Sequence, residues 1–358
     1  MLRHSFLALL VLLVLLAAVA CSPGPSQETA EEQPAAENAA SQELNVYSSR
    51  HYDNDQVLID RFEEETGIQV NIIEGDSAAL LERLRREGDQ SPADVFVAVD
   101  AGRLHLAELE GVFAPVESEV LNERVPENLR HPEGLWFGLT KRARVIVYAK
   151  DRVQPEEISS YEQLAEPTWK DRVLIRSSTN IYNQSLVGSI LAAHGEEVTE
   201  EWCKGVVANM ARDPQGGDTD QIRAVAAGEG DVAVVNTYYL GRLLGADDKP
   251  EDQEVAAKIG IVFPNQDDRG THVNISGAGV VKNAPNRENA IRFLEFLTSP
   301  ESQEVFAGAN KEYSIVAGAA PIAELAPFGE FKEDALNASV FAANNKQALM
   351  IMDRCGWR

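Results

Sequence analysis

Apolar and polar positions alternate with regular spacing from residue 44 onward. Residues 44–47 form a short apolar run that predicts a strand. Residues 56–66 place Leu58 and Phe62 four positions apart, on one helical face, and Gly67 follows as a typical helix end. The next predicted elements are a strand over 68–73, a helix over 78–86, a strand over 94–99 and a helix over 104–109. This β-α-β-α-β order is typical of a mostly parallel sheet.

An extended stretch separates this series from a second one. Two strand-like runs, 135–139 and 143–149, flank the polar residues Thr140, Lys141 and Arg142. The elements predicted after them are a strand over 173–175, helices over 183–194 and 221–227, a strand over 231–235, a helix over 239–244, strands over 258–263 and 277–281, and a helix over 287–297. Two α/β units joined by extended segments predict two lobes. Ligands of such sheets bind beyond the carboxyl ends of the strands, so a cleft between the lobes is the expected binding site.

The N-terminal residues differ in character from the rest. Arg3 precedes an apolar run and then small residues that lead to Cys21, which is the layout of a signal peptide over residues 1–20. The sequence AVAC that ends there resembles a lipoprotein cleavage box, in which Cys21 becomes the acylated first residue. The alternative is ordinary secretion, with Cys21 incidental. Residues 21–43 are rich in Ser, Pro, Glu, Gln and Ala and predict a lipid-anchored, disordered tether.

Charge and cysteine content narrow the function further. Asp and Glu number 57 against 32 Lys and Arg, which gives a formal net charge of −25. This charge opposes nucleic-acid binding, and it is typical either of a highly soluble protein or of one that mildly attracts cations. Besides Cys21 the chain contains Cys203 and Cys355. These two either form one disulfide in an oxidising compartment or are unrelated buried thiols, since sequence alone gives no distance between them.

Tyrosines follow several of the predicted strands at the point where each strand ends. They are, in chain order, Tyr52 (beside His51), Tyr182, Tyr238 and Tyr239. A lone tyrosine in such a place usually packs its ring and hydrogen-bonds its hydroxyl, and a lone histidine is usually a loop or capping residue. The joint placement of the four tyrosines around one expected cleft is what indicates a binding site.

Four segments carry a family resemblance: LNVYSSRHY, ADVFVAVDAGRL, VVNTYYLGRL and SGAGVVKNAPNRENAIRFLEFLTSPESQ. Over nearly the whole chain from residue 44, the sequence resembles the periplasmic ferric-ion-binding proteins of bacterial ABC iron transporters, in their tyrosine-rich, Fut-type branch. The resemblance implies an α/β, two-lobed periplasmic binding protein of type II. Each lobe would be a mixed, mostly parallel sheet flanked by helices, and extended strands would form the hinge. The implied lobes are 44–142 with 272–319, and 143–271 with 320–358.

The resemblance also implies a set of ligands for Fe³⁺. The implied ligands are Tyr52, Tyr182, Tyr238, Tyr239 and, as a fifth ligand that either coordinates or swings away, His51. Some family members capture an anion with the metal, so water or carbonate is expected at a remaining position, and no organic cofactor is implied. Arg103 and Arg50 are candidates to offset the charge of the phenolates.

The chemistry of ferric iron agrees with this implied site. Fe³⁺ is a hard cation that prefers anionic oxygen donors, and tyrosine becomes such a donor only after losing a proton with a pKa of about 10. A bound trivalent cation lowers that pKa, so binding is expected to release protons and to weaken in acid. The absence of a cysteine or methionine cluster beside the tyrosines disfavours softer metals.

The implied function is that of an extracytoplasmic solute-binding protein, periplasmic or on the cell surface. It would act as a monomer that delivers ferric iron to the permease of an ABC transporter, with the lipid on Cys21 holding it to the membrane. One alternative is a protein of the same fold that binds phosphate, sulfate or molybdate, because serines at 48–49 and 177–178 precede predicted helices, where backbone N–H groups favour anions. Those serines are also ordinary helix caps. An enzyme is not expected, since the sequence has no nucleophile elbow, phosphate loop or His-Glu-x-x-His pair.

Overall fold

The computed structural model describes residues 42–50, 55–319 and 321–358. The predicted signal peptide, Cys21 and nearly all of the predicted tether lie outside the described residues, and so do His51 and Tyr52. No helix within the described ranges combines the length and apolar character needed to cross a membrane.

Strands and helices alternate along the described chain. The strands are β1 (Glu43–Ser48), β2 (Gln69–Glu74), β3 (Val95–Val99), β4 (Phe137–Ala149), β5 (Val173–Leu174), β6 (Val232–Asn236), β7 (Ile259–Val262), β8 (Val273–Val280) and β9 (Tyr313–Ser314). The α-helices are α1 (Gln56–Thr66), α2 (Ser77–Glu87), α3 (Ala101–Leu109), α4 (Glu119–Arg124), α5 (Ile181–Asn209), α6 (Asp218–Ala227), α7 (Thr237–Leu244), α8 (Pro250–Ala257), α9 (Arg287–Leu297), α10 (Pro300–Asn310), α11 (Ala338–Ala343) and α12 (Asn345–Arg354).

The strands pair in the order β2-β1-β3-β8-β4-β6-β5, and β7 and β9 also pair with β4. Parallel pairing joins β1 to β2 and β3 at one end, and β5 to β6 at the other. The antiparallel pairs among the described strands all involve β4 or β8. The result is a mixed α/β fold in which two groups of strands are joined through two long strands, as the sequence pattern predicts.

Strand β4 is continuous where the sequence predicted two separate runs. Its first part pairs with β8, and its second part, from Arg144 onward, pairs with β6 and β7. Two of the polar residues between the predicted runs are accommodated inside the protein: Thr140 is fully buried and donates to Glu312 at 2.8 Å, and Arg142 is only 1% exposed. Buried polar partners therefore allow these residues to lie inside one continuous strand.

Helix boundaries follow the local sequence closely in some places and depart from it in others. Helices α1 and α9 have the predicted bounds, and Gly67 ends α1 with a left-handed φ of 71°. The helix predicted to end at residue 194 continues instead to Asn209 as α5, after a kink at Gly195, where φ is 78°. Helix α7 begins at Thr237, two residues before its predicted start, so the adjacent tyrosines fall in its first turn.

Two hydrophobic clusters among the described residues support the sheet. The larger one packs around the β1–β3–β8 strands and includes Phe62, whose ring makes edge contacts with Phe293 and Phe296 at 5.0 and 5.3 Å. The smaller one packs around β5 and α5 and includes Trp202 and Trp357. Close packing within the two clusters holds the strands and the helices that contribute to them in fixed positions.

Candidate metal centre

Tyr182 lies in the first turn of α5, and polar side chains on both sides fix that turn. Asn180 is the helix cap, and its side-chain oxygen accepts a hydrogen bond from the backbone N–H of Tyr182 at 3.2 Å. Asn183 is fully buried and donates to the carbonyl oxygen of Arg176 at 2.7 Å. The Asn-x-x-Asn spacing therefore fixes the start of α5, on which Tyr182 lies.

Tyr238 and Tyr239 occupy the first turn of α7, directly after β6. Their ring centroids are 4.3 Å apart at an angle of 34°. The guanidinium carbon of Arg242, one helical turn later, lies 4.8 Å from the Tyr238 ring centroid and 5.9 Å from that of Tyr239. Tyr238 is 3% exposed, whereas Tyr239 is half-buried. A cation therefore lies beside the two rings and would stabilise negative charge on either phenol oxygen.

The two helix starts bring the three tyrosines into one cluster. The Tyr238 hydroxyl donates to the Tyr182 hydroxyl at 3.4 Å, although the two residues are 56 positions apart. Tyr239 lies near enough to raise the pKa of Tyr182. The structure thus places three phenol oxygen donors together where β5 and β6 end, which is the edge that the sequence pattern indicated.

The Tyr182 phenol is protonated in the absence of a cation. Burial raises its pKa above the ordinary value, and Arg142 partly opposes that rise. Only a strong positive charge at the oxygen would replace the proton at neutral pH. The cluster is therefore suited to a highly charged cation and poorly suited to a weakly charged one.

Arg142 is the cation that most opposes the rise in the pKa of Tyr182. Its guanidinium carbon lies 5.5 Å from the Tyr182 ring centroid. Its Nη1 donates to the Ser276 hydroxyl at 3.3 Å, while Nε and Nη2 have no hydrogen-bond partner within the described part of the chain. Burial lowers its pKa, but Glu312, Tyr182, Asp100 and Tyr238 raise it, and the net pKa is above the usual range. Arg142 is thus a permanent positive charge, and two of its nitrogen atoms are still available to donate hydrogen bonds.

A buried ion pair joins the two helix starts that carry the tyrosines. Arg144 donates to Asp218 at 2.6 Å through Nη1 and to Asn183 at 2.8 Å through Nη2. Asp218 also accepts the backbone N–H of Asn236, the cap of α7, at 2.8 Å. Arg144 is 1% exposed and Asp218 is fully buried. One network therefore sets the position of Tyr182 relative to Tyr238 and Tyr239.

The two arginines predicted to offset the phenolate charge are both described, and each lies beside a carboxylate. Arg50 is buried and forms ion pairs with Asp55 and Glu312, each at 2.8 Å. Arg103 is half-buried on α3, where it limits the rise that burial causes in the pKa of Asp100. Sequence reasoning did not single out four further residues at the tyrosine cluster: Arg142, Arg144, Asp218 and Arg242. The sequence signals were the charged residue directly before the apolar run over 143–149, at position 142, and the charged residue inside that run, at position 144.

The serines considered as anion ligands are engaged in local backbone contacts. The Ser48 hydroxyl donates to the carbonyl oxygen of Arg50 at 3.0 Å, and that of Ser49 donates to Val97 at 3.2 Å. The Ser177 hydroxyl accepts the backbone N–H of Thr179 at 3.2 Å. Across the described ranges, no group of three or more His, Cys, Asp or Glu side chains is arranged to hold a metal ion. The phenol cluster therefore stands apart as a set of converging oxygen donors.

Comparison with known families places the chain among binding proteins. Residues 90–337 match the family described as bacterial extracellular solute-binding protein. The protein belongs to this family. This match, together with the relatives described next, confirms the family resemblance and the fold class predicted from the sequence.

Individual relatives have more specific names than the family. Iron uptake protein A1 of Synechocystis sp. (strain ATCC 27184 / PCC 6803 / Kazusa) is 54% identical over 317 residues, which cover 88% of this chain and 88% of the relative. Iron uptake protein A2 of the same strain is 50% identical over 327 residues, with coverage of 91% and 93%. A solved structure of Trichodesmium IdiA (FutA) in complex with iron and citrate ligands has 56% identity and a TM-score of 0.87, and covers 88% of this chain and 100% of its own.

Proposed function

We propose that this protein is an extracytoplasmic solute-binding protein that binds ferric iron through tyrosinate oxygens and delivers it to the permease of an ABC transporter. The observation that carries the proposal is the convergence of Tyr182, Tyr238 and Tyr239 beside Arg142. The names of the similar proteins, two of which are iron uptake proteins, support the same ligand.

Charge balance explains why phenols and arginines occur together. Three phenolates would balance the three charges of Fe³⁺, and Tyr52 as a fourth ligand would leave one net negative charge. Arg142, beside the Tyr182 ring, offsets that charge. Arg242 lies against the rings of Tyr238 and Tyr239. His51, water or carbonate would complete the coordination. An anionic oxygen set of this kind suits a hard trivalent cation better than a soft divalent one.

Capture by lobe closure fits the order of the chain. We place lobe 1 at 44–142 with about 272–319, and lobe 2 at 143–271 with about 320–358, so that β4 crosses between them and the chain returns to lobe 1 directly before β8. Tyr182, Tyr238 and Tyr239 belong to lobe 2, and Tyr52 belongs to lobe 1. Iron bound first by lobe 2 would then recruit lobe 1 by a hinge motion about Thr140 and Val273.

Location and attachment complete the proposal. The chain is exported by a signal peptide over residues 1–20 and is attached to the membrane through a lipid on Cys21, with residues 21–43 as the tether. It works there as a monomer, without an organic cofactor and without catalysis.

Equilibrium dialysis against ferric citrate and, separately, against phosphate, sulfate and molybdate tests the choice of ligand. The proposal predicts retention of iron near one equivalent and no retention of the oxyanions in the absence of iron. Retention of an oxyanion without iron would favour an anion-binding protein of the same fold instead.

Iron affinity is expected to fall as the pH falls. Each phenol that coordinates must lose its proton, and burial raises the pKa of Tyr182, so protons compete with iron throughout the neutral and acidic range. The logarithm of the affinity should fall by about one unit per pH unit for each phenol that ionises. Competition with citrate at several pH values, corrected for the protonation of citrate, measures this slope. An affinity that does not change between neutral and acidic pH would contradict phenolate ligation.

Removal of the charge at Arg142 is expected to weaken iron binding. Arg142→Met removes the cation that offsets the phenolate charge. The iron affinity should fall by roughly tenfold to a hundredfold, which is the usual effect of removing a residue that contacts the metal ligands and not the metal itself. Lys141→Met is the matched control, because it removes the same charge one residue away, where the side chain pairs with Glu333 at 2.8 Å. Equal effects of the two substitutions would show that only net charge matters.

A further inference from the structure

The two cysteines of the folded chain meet at the contact between α5 and α12. Cys203 lies in the second half of α5 and is fully buried, and Cys355 is the residue that ends α12 and is half-buried. The Cys355 thiol donates to the backbone carbonyl oxygen of Glu200 at 3.4 Å. Glu200 precedes Cys203 by three residues, so it lies on the same helical face. The end of α12 is therefore seated against the turn of α5 that carries Cys203.

Neighbouring contacts hold the end of α12 at one position along α5. The Trp202 and Trp357 rings, one residue before Cys203 and two after Cys355, lie 6.1 Å apart. Arg354 forms ion pairs with Glu196 at 2.7 Å and with Glu200 at 2.8 Å. Contacts on both sides thus leave little freedom for the two thiols to separate.

The two thiol groups interact with each other directly, and do not merely lie on neighbouring helices. Burial raises the pKa of the Cys203 thiol, and the charge and hydrogen bonding of Cys355 raise it further. Burial also raises the pKa of Cys355, which is the more exposed of the two. Cys355 is consequently the sulfur that an external reagent would reach first.

We infer that Cys203 and Cys355 form a disulfide bond in the exported protein, which ties the C-terminal helix α12 to α5. The inference stands on the contact between α5 and α12 and on the extracellular character of the family, since thiols that meet outside the cytoplasm are oxidised. It does not depend on iron binding, because the thiols lie in the second half of α5, beyond the kink at Gly195, whereas Tyr182 lies in its first turn.

The oxidation proceeds by exchange with an external disulfide, of a protein dithiol oxidase or of a small molecule. The Cys355 thiolate attacks one donor sulfur, so a mixed disulfide forms and the first donor thiolate leaves. The Cys203 thiolate then attacks the Cys355 sulfur, the intramolecular S–S bond forms, and the second donor thiolate leaves. The two protons of the protein thiols end on the two donor thiols. The protein loses two electrons and the donor disulfide gains them.

The bond would close a loop of about 150 residues, which restricts the unfolded chain far more than a short loop does. It would also secure the last helix of the chain, so that α12 cannot fray from α5. Reduction should therefore lower the melting temperature of the protein by roughly 4–10 °C.

Peptide mapping of the full-length chain, exported to the periplasm of a bacterial host, tests the inference. The protein is denatured without reductant, free thiols are alkylated, and the digest is analysed by mass spectrometry. The expected result is a linked pair of peptides containing Cys203 and Cys355, with no alkylation at either residue. Alkylation of both residues in the freshly isolated protein would overturn the inference, and so would a link from either of them to Cys21 or to a second chain.

Thermal unfolding with and without reductant provides an independent check. The wild-type melting temperature should fall on reduction, whereas that of Cys203→Ala/Cys355→Ala should not change on addition of reductant. Circular dichroism establishes that the double variant is folded. Equal melting temperatures of the wild type with and without reductant would count against a bond, and iron binding by the reduced protein is expected to persist.

Discussion

Replacement of Tyr238 and Tyr239 by phenylalanine is expected to abolish high-affinity ferric iron binding. Each substitution removes one anionic oxygen while it keeps the ring packing, in which the two centroids are 4.3 Å apart. Loss of a side chain that only hydrogen-bonds to a metal ligand typically lowers metal affinity tenfold to a hundredfold. Each single variant removes a ligand itself, so its iron affinity should fall by roughly a hundredfold or more. Competition with citrate, followed by bound iron, measures the loss.

A matched control separates loss of a ligand from loss of a hydroxyl group in general. Tyr148 lies on β4 at the opposite end of the β4–β6 pairing from Asn236, which precedes the tyrosine pair. Tyr148→Phe removes the same atom and should leave iron affinity unchanged. If the Tyr238→Phe/Tyr239→Phe variant bound iron with wild-type affinity, the assignment of these tyrosines as ligands would be wrong.

Of the substitutions predicted for this protein, Asp218→Asn is expected to lower the free energy of unfolding most. The substitution leaves Arg144 buried with its charge unbalanced, and loss of one partner of a buried ion pair typically costs about 3–5 kcal/mol in the free energy of unfolding. It also weakens the contact to the backbone N–H of Asn236, which positions the start of α7. Iron affinity should therefore fall together with stability. Urea unfolding measures the first effect and citrate competition the second.

A surface ion pair supplies the control for that substitution. Asp151 pairs with Arg152 at 2.9 Å, but the Asp151 side chain is 74% exposed. Asp151→Asn should change the free energy of unfolding by no more than about 1 kcal/mol. The variant Arg144→Met/Asp218→Leu, which removes both charges, should recover part of the stability lost by Asp218→Asn. A loss below about 1 kcal/mol in Asp218→Asn would show that the pair does not hold the helix starts together.

Local patterns predicted much of the fold because their causes are local. The four-residue spacing of Leu58 and Phe62 and the glycine at position 67 define α1, and the structure gives α1 the predicted bounds. The continuity of β4 could not be predicted in the same way. Thr140 is tolerated inside the strand because Glu312 accepts its hydrogen bond, and these residues are 172 positions apart in the chain. A polar residue in a strand suggests a break until its partner is known.

The same distinction applies to the candidate site. The strand ends placed Tyr182, Tyr238 and Tyr239 at one edge, and the structure brings these three together. The pairing of their supporting charges could not be found from sequence, because Arg144 and Asp218 are recognised as partners only by their contact at 2.6 Å across 74 residues. Tyr52 and His51 lie outside the described residues, so their part in the site stays a prediction.

The visible spectrum after addition of ferric citrate tests the central claim most directly. Tyrosinate bound to Fe³⁺ gives a charge-transfer band that neither free ferric citrate nor protonated tyrosine produces, so the purified protein should become coloured in proportion to the iron it retains after desalting. The band should be lost in Tyr238→Phe/Tyr239→Phe and kept in Tyr148→Phe. A protein that stays colourless and retains no iron would contradict the account.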